Sequence, residues 1–288
     1  MKRIRLYLAL FLGLAVLGQS CEDGFMPTDK DELIVEGWID AGDFPVVIIS
    51  RSLPVRSKDN KIKVSDISDY VETFAKVTVS DGENEVVLTG KVDRDYFPPY
   101  IYTTSQIRGE AGKSYTLSIK ARDKVLTAHT TIPLYGPVVD SLVSHPLENN
   151  DTLCSVLLYI ENVPDRKEYF KSFFLDGPAI GQFRSTYMGL ADDAIVDSTI
   201  RIALLKTVRD DFKDNKQRYF DKDSLLSIKV STMDSVSFSF WKAFSNSTIT
   251  SYSSYMMSTS TGNLPTNVSG GIGYWCGYNS YISTFIVK

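Results

Sequence analysis

Cys21 is the residue whose surroundings most clearly specify covalent chemistry. It follows a basic start (Lys2, Arg3, Arg5), an apolar run of 12 residues from Leu6 to Leu17, and the short stretch Gly18-Gln19-Ser20. That order is the order of an export signal. A run of this length falls short of the roughly 20 residues a membrane-spanning helix needs. An aliphatic residue a few places ahead of a cysteine reads as a lipobox, with Leu17 and Cys21 in the two roles and Gln19 loosening the pattern. It predicts a signal peptide over 1–20, cut after Ser20, and acyl chains on the Cys21 thiol. Each buried CH₂ then adds about 0.8 kcal/mol of membrane affinity, so two or three chains anchor stably. Gly18 and Ser20 would also satisfy an ordinary secretory signal, leaving Cys21 an incidental thiol. Residues 21–32 (CEDGFMPTDKDE) are polar and acidic, as expected of a solvated tether.

The second concentration of chemistry is aromatic. Tyr274, Trp275, Tyr278 and Tyr281 fall within eight residues of a chain that holds 16 Tyr, 15 Phe and 3 Trp. Flat rings stack on sugars and other amphipathic ligands, and core packing at a strand end would also collect them. These positions therefore stand as a candidate patch for a glycan or peptide ligand.

Catalytic signals are sparse. Only His129 and His145 are present, and His129 lies in an alternating run that suits a surface position. Metal-protease, redox, nucleophile-elbow and phosphate-loop motifs are all missing. Acid pairs (Asp192 with Asp193, Asp210 with Asp211, Asp221 with Asp223) would suffice for glycoside hydrolysis. Each sits in a polar Lys/Arg-containing stretch where solvated charge is the default, and none has the spacing of a calcium loop. No enzyme, metal or cofactor is expected. Cys154 and Cys276 either pair in an oxidising compartment or stay as buried thiols. Three of the 31 Lys and Arg lie in the leader, leaving 28 against 35 Asp and Glu, a formal charge of −7. That acidity argues against nucleic-acid partners.

The elements that must position these residues are strands. LIVEGWI, PVVIISR, AKVTVSD, NEVVLTG, YIYTT, SYTLSIKA and VLTAHTTI read as short strands; Val77, Val79, Val87, Tyr115, Leu117 and Ile119 alternate with polar neighbours, turn signals come every 8–12 residues, and Asp81–Gly82 is a hairpin dipeptide. This pattern predicts a β-sandwich, with Trp38 in its core, a tyrosine corner at Tyr115, and a long exposed loop over 51–69. The PLYGP stretch (133–137) suggests a junction, placing one domain over 33–135 and a second β-rich one over 136–288. VVDSLVS, LCSVLLYIEN, EYFKSFFLDG, TIRIALLK and LLSIKVSTM read as its strands, with an irregular insert over 177–198. One short helix is expected over 235–246, capped by Asp234, with Val236, Phe240 and Phe244 at helical spacing.

Several segments carry a family resemblance: VEGWID (35–40) with VVIISRSLPV, AKVTVSDGE, GKSYTLSIKARDKVLTAHTTIP, PVVDSL (137–142), SFWKAF (239–244) and NLPTNVSGGIGYWCGYNSY (263–281). Together they resemble a Bacteroidota lipoprotein family known as a domain of unknown function, whose members commonly occur beside TonB-dependent outer-membrane receptors. The resemblance covers nearly the whole chain after Cys21. It implies an immunoglobulin- or transthyretin-like N-terminal sandwich and a second β domain, and no catalytic residue. Glu22 and Asp23 resemble the surface-export signal of such lipoproteins, which implies the outer face of the outer membrane. Asp-Ser/Thr triplets resemble the O-glycosylation signal of exported Bacteroidota proteins, making Ser141, Thr152, Ser198, Ser224 and Ser235 candidate acceptors. The expected function is that of a non-enzymatic accessory to receptor-mediated uptake. A structural or adhesive lipoprotein, such as a fimbrial anchor subunit, and a glycan hydrolase are the rivals.

Overall fold

The computed structural model describes residues 32–52, 69–192, 198–206, 218–251 and 264–288. The leader, Cys21, the tether, most of the 51–69 loop, Asp193, Asp210 and Asp211 lie outside the described residues.

The fold is mainly β, as the alternation predicts. Seven strands, β1 (Leu33–Asp40), β2 (Val46–Arg51), β3 (Ala75–Ser80), β4 (Glu85–Val92), β5 (Tyr100–Thr103), β6 (Ser114–Ala121) and β7 (Lys124–Thr131), come first. They are followed by β8 (Val139–Leu147), β9 (Asn150–Glu161), β10 (Tyr169–Asp176), β11 (Arg184–Asp192), β12 (Thr199–Leu204), β13 (Phe220–Asp221) and β14 (Leu225–Met233). The chain ends with α1 (Ser235–Ser251), β15 (Val268–Ser269) and the long β16 (Ile272–Ile286).

A continuous ribbon runs β11-β10-β14-β16-β1-β2-β5-β4-β3-β6-β7-β15. It folds over at β4, whose first half pairs with β3 and whose second half pairs with β5. The β16-β1-β2-β5 face is thereby laid on the β3-β6-β7 face. Val35, Ile39, Val47 and Ile49 from one side meet Val77, Val79, Leu117 and Ile119 from the other, all at most 1% exposed. Burial of each such side chain contributes about 1.5–3 kcal/mol. The tyrosine corner is present: the Tyr115 hydroxyl donates to the Arg108 carbonyl (3.1 Å) and accepts from the Glu110 N–H (2.8 Å). A second layer, β12-β9-β13 with β8 on β9, packs on the β10-β14 region. Leu158, Ile160, Phe170, Phe174, Ile228 and Val230 fill the gap.

Three outcomes differ from the sequence reading. The insert expected over 177–198 contains a full strand, β11, paired with β10 across a bulge between Lys171 and Phe173; its mixed composition (RSTYMGLAD) hid it. The sheet does not stop at the PLYGP junction. The final strand returns to pair parallel with β1, from Ile34↔Ile272 to Asp40↔Tyr278, and antiparallel with β14, from Leu225↔Ile286 to Thr232↔Asn279. Trp275 sits in the first sandwich, fully buried, with its indole N–H donating to the Tyr115 carbonyl at 3.1 Å. Trp38 is the third difference: it is half-buried and lies on the outer face of β1.

Two glycines of the GGIGYWCGY stretch permit this return. Gly273 has φ of +132° and the Val35 carbonyl only 1.9 Å from where a Cβ would stand; at Gly277 the Ile132 nitrogen would be 2.8 Å away. A side chain at either would push the closing strand off its neighbours.

α1 begins where Asp234 predicts. Its Oδ1 accepts from the Ser237 N–H (2.7 Å), and its other oxygen accepts from Thr130 Oγ1 (3.1 Å), which in turn accepts from the Gly277 N–H (2.7 Å). The carboxylate thus caps the helix and ties it to β7 and β16. Asp234→Ala should cost about 2 kcal/mol, the upper end for a lost N-cap, read as a lower urea midpoint at unchanged slope. Among the described residues no helix is long and apolar enough to cross a membrane.

Candidate functional site

Strand alternation sends one set of side chains into the first core and the next set to the opposite face. From β1, Leu33, Val35 and Ile39 point inward, while Glu36, Trp38 and Asp40 face a cleft of about 1170 Å³. β16 adds Tyr274, Tyr278, Ser280 and Ile282 to the same face, β14 adds Lys229, and β10 adds Phe173. The walls come from the 93–97 turn, the 179–187 segment and the α1 residues Phe240, Trp241 and Phe244. Size, concavity and a floor of aromatic side chains are attributes of a small-ligand site, here with a mixed polar and charged rim.

The aromatic residues form one connected layer. Trp38 stacks with Tyr96 at 6.3 Å between ring centroids. Tyr274 packs against Phe240 (4.9 Å) and Trp241 (5.2 Å), and Phe173 meets both Trp241 (5.8 Å) and Tyr278 (5.7 Å) edge-on. The indole N–H of Trp241 donates to the Tyr278 hydroxyl at 2.8 Å. Burial raises the Tyr278 and Tyr274 hydroxyls well above their usual range, with neighbouring Cys276 and Glu36 adding to Tyr274.

Charged groups are set into this layer at chosen points. Lys229 Nζ donates to Asp40 Oδ2 at 2.6 Å, lying 5.6 Å from the Phe173 ring centre and 5.2 Å from that of Tyr278. Ser280 Oγ donates to the other Asp40 oxygen. Lys171 is completely buried beside the cleft. Its ammonium donates to the Thr186 carbonyl at 3.0 Å and lies 5.5 Å from the Phe173 and Trp241 ring centres. Burial pushes Lys171 down to about 7. Glu36 stands between Tyr274 on β16 and Ile48 on β2. Its remaining exposed surface opens into the cleft, and burial pushes its carboxyl up to about 7. It has no hydrogen bond or ion pair among the described residues.

The four-ring patch read from the sequence is therefore split. Tyr274 and Tyr278 line the cleft, Trp275 points through the sheet into the first core, and Tyr281 is 41% exposed on the face opposite Ser280 and Ile282. Consecutive strand residues cannot share a face, so closeness in sequence along β16 does not gather these rings into one patch. Glu36, Trp38, Asp40, Tyr96, Lys229 and Trp241 were missed. The available signal was a Glu, a Trp and an Asp at period two in an otherwise apolar strand, EGWID, which puts all three on one side.

The remaining sequence candidates lie elsewhere. His129 is exposed, its Nδ1 paired with Thr116 Oγ1 at 2.9 Å, and His145 is exposed on β8. Asp221 and Asp223 are exposed at a surface turn, and Asp192 ends β11; none lines the cleft. Among the described residues no group of three His, Cys, Asp or Glu is placed to hold a metal. Of the triplet hydroxyls, Ser141, Thr152 and Ser224 donate to Asp140, Asn150 and the Asp221 carbonyl. Ser198 and Ser235 are exposed, with hydroxyls that have no partner among the described residues.

Cys154 and Cys276 do not pair: both are free and buried, in separate cores. Burial raises both thiols, Cys276 to about 12, so neither is a ready nucleophile. Both should resist an aqueous thiol reagent in the native protein and react in denaturant without any reductant. Native labelling of either, or a requirement for reductant, would contradict the structure.

No curated protein matches the chain. A family model, Domain of unknown function (DUF4249), matches residues 23–282, which takes in every strand of both sandwiches except the end of β16, and the chain belongs to that family.

Proposed function

We propose that this protein is a non-enzymatic lipoprotein of the outer membrane, held by acyl chains on Cys21 at the cell surface, that binds an extracellular ligand in the aromatic cleft. In this role it serves as an accessory partner of a TonB-dependent receptor in nutrient uptake. The cleft is the observation that carries the reading: an open concavity with an aromatic floor and a charged, polar rim. The lipobox supports the anchor, the acidic residues after Cys21 support surface export, and the family resemblance supports the receptor partner.

The anchor is tested by intact mass of the protein from native membranes, which should equal the chain from Cys21 plus its acyl groups. Additional hexose-type mass would show glycosylation, and peptide fragmentation would then test the exposed Ser198 and Ser235 first. The partner is tested by detergent extraction and affinity capture through a C-terminal tag, with a TonB-dependent receptor recovered at near-stoichiometric yield. An unmodified Cys21, or capture of no such receptor, would remove the respective half of the proposal.

A further inference from the structure

The charges lining the cleft do not balance among themselves. Lys229 is paired with Asp40 at 2.6 Å, Lys91 with Asp93 at 3.0 Å, and Arg184 with Asp176. That leaves Glu36, Asp43 and Asp95 with no ion pair among the described residues, against Arg94 and against Arg184, whose partner Asp176 stands outside the lining and also binds Lys206 at 2.9 Å. The excess is one negative charge, and the unpaired carboxylates stand at two depths. Near the mouth, the Tyr96 hydroxyl is pushed up to about 12 by burial and by Asp93, Asp43 and Asp95 around it. On the floor, Glu36 stands alone among apolar and aromatic neighbours, with Trp38 next to it on the same face of β1.

A carboxylate set among rings with little access to water is costly, and where Glu36 is ionised a ligand that brings the opposite charge offsets that cost most directly. A metal ion is a poor candidate, because hard cations need several oxygen ligands and Glu36 supplies one carboxylate. A neutral sugar would stack on the rings but would not compensate the charge. An organic cation does both, since rings within about 6 Å of an ammonium attract it through their faces. Resting on the reading of the cleft as a ligand site, we propose that its ligand is an organic ammonium ion, with the charged head against Glu36 and an apolar or ring-shaped body against Trp38 and Tyr274.

Two probes of the same shape separate charge from shape: 2-phenylethylammonium and the neutral 2-phenylethanol. Each is titrated at pH 8 into the full-length chain in detergent, followed by calorimetry and by tryptophan fluorescence, since Trp38 and Trp241 both line the cleft. Protein-free micelles supply the blank. The ammonium should bind at least tenfold more tightly than the alcohol. In Glu36→Gln, which keeps the side-chain shape, the preference should shrink below twofold while affinity for the alcohol is retained. Asp43→Asn should reduce the preference less than Glu36→Gln does. Equal binding of both probes to the wild type, or a preference that survives Glu36→Gln, overturns the ammonium assignment and leaves the cleft an apolar binding site. Binding of neither probe overturns the cleft reading as well.

Discussion

A chain ending at residue 263 should fold into neither sandwich, and an isolated 22–135 segment should be equally unstructured. The reason is the double role of β16. Its first half pairs with β1 over seven register positions and places Trp275 in the first core; its second half pairs with β14 and borders the second. Without it, Gly37 and the Tyr115 carbonyl face an empty indole-sized slot, and β1 and β14 both become open edges. Losing a fully buried tryptophan alone costs about 3–5 kcal/mol. Tyr274, Cys276, Tyr278, Val268 and Val287, all at most 8% exposed, are lost with it, at about 1.5–3 kcal/mol each. Together these come to roughly 10–20 kcal/mol, as large as the whole 5–15 kcal/mol of net stability that single proteins typically possess. Far-UV circular dichroism, amide proton dispersion and urea titration of both truncated chains would read the result. A cooperative transition with near-native slope in the 22–135 segment would show that the first sandwich stands without the closing strand, and the shared-strand account would be wrong.

The same strand explains what was legible in the sequence and what was not. Local rules worked where local physics decides. Alternation located β3, β4, β6 and β7, the Asp81–Gly82 turn located a hairpin, and Asp234 followed by Val236, Phe240 and Phe244 located α1. Tyr115 after Gly112 located the corner. The family resemblance was also readable from motifs spread along the chain. What could not be read was the pairing of β1 with a strand whose partner residues lie 238 positions further on, as Ile34 with Ile272. A parallel β1–β16 pair leaves no turn signal, because no short connection makes it. A junction at PLYGP is a reasonable inference from punctuation, and punctuation says nothing about a segment that later crosses back. The site failed for a related reason. Trp38 and Trp275 look alike in sequence, each an isolated indole in a strand, and the register pairing Gly37 with Trp275 and Trp38 with Cys276 assigns one to the core and one to the cleft. Glu36 gave a signal, a lone acid inside LIVEGWI, but its meaning depended on which face was already closed.

Glu36→Gln should stabilise the protein above neutral pH by about 2–3 kcal/mol and do nothing at pH 4. Lys171→Met should show the mirror dependence. Glu36 has its pKa raised from 4.5 to about 7. Between those values the folded chain holds a proton that the unfolded chain has released, so stability falls as pH rises through that window and is flat beyond it. One pKa unit corresponds to about 1.4 kcal/mol, and the surface Glu36 shows to the cleft trims the full effect. Lys171 is lowered from 10.5 to about 7. There the unfolded chain holds the extra proton, so stability is lowest below about 7 and rises with pH towards 10.5. Lys171→Met should therefore stabilise most at pH 5 to 6, on the order of 4 kcal/mol once about 1 kcal/mol is deducted for the lost bond to the Thr186 carbonyl. The advantage should disappear by pH 10. Tyr274 is the titrating neighbour of Glu36 and lies well above this range, so the variant-minus-wild-type difference reports the carboxyl alone. Urea titrations at pH 4, 6, 8 and 10 on the wild type and both variants would give the two curves. A Glu36→Gln difference that does not change with pH would mean that the carboxyl is not held out of water at the cleft floor, and that no charge there awaits a ligand.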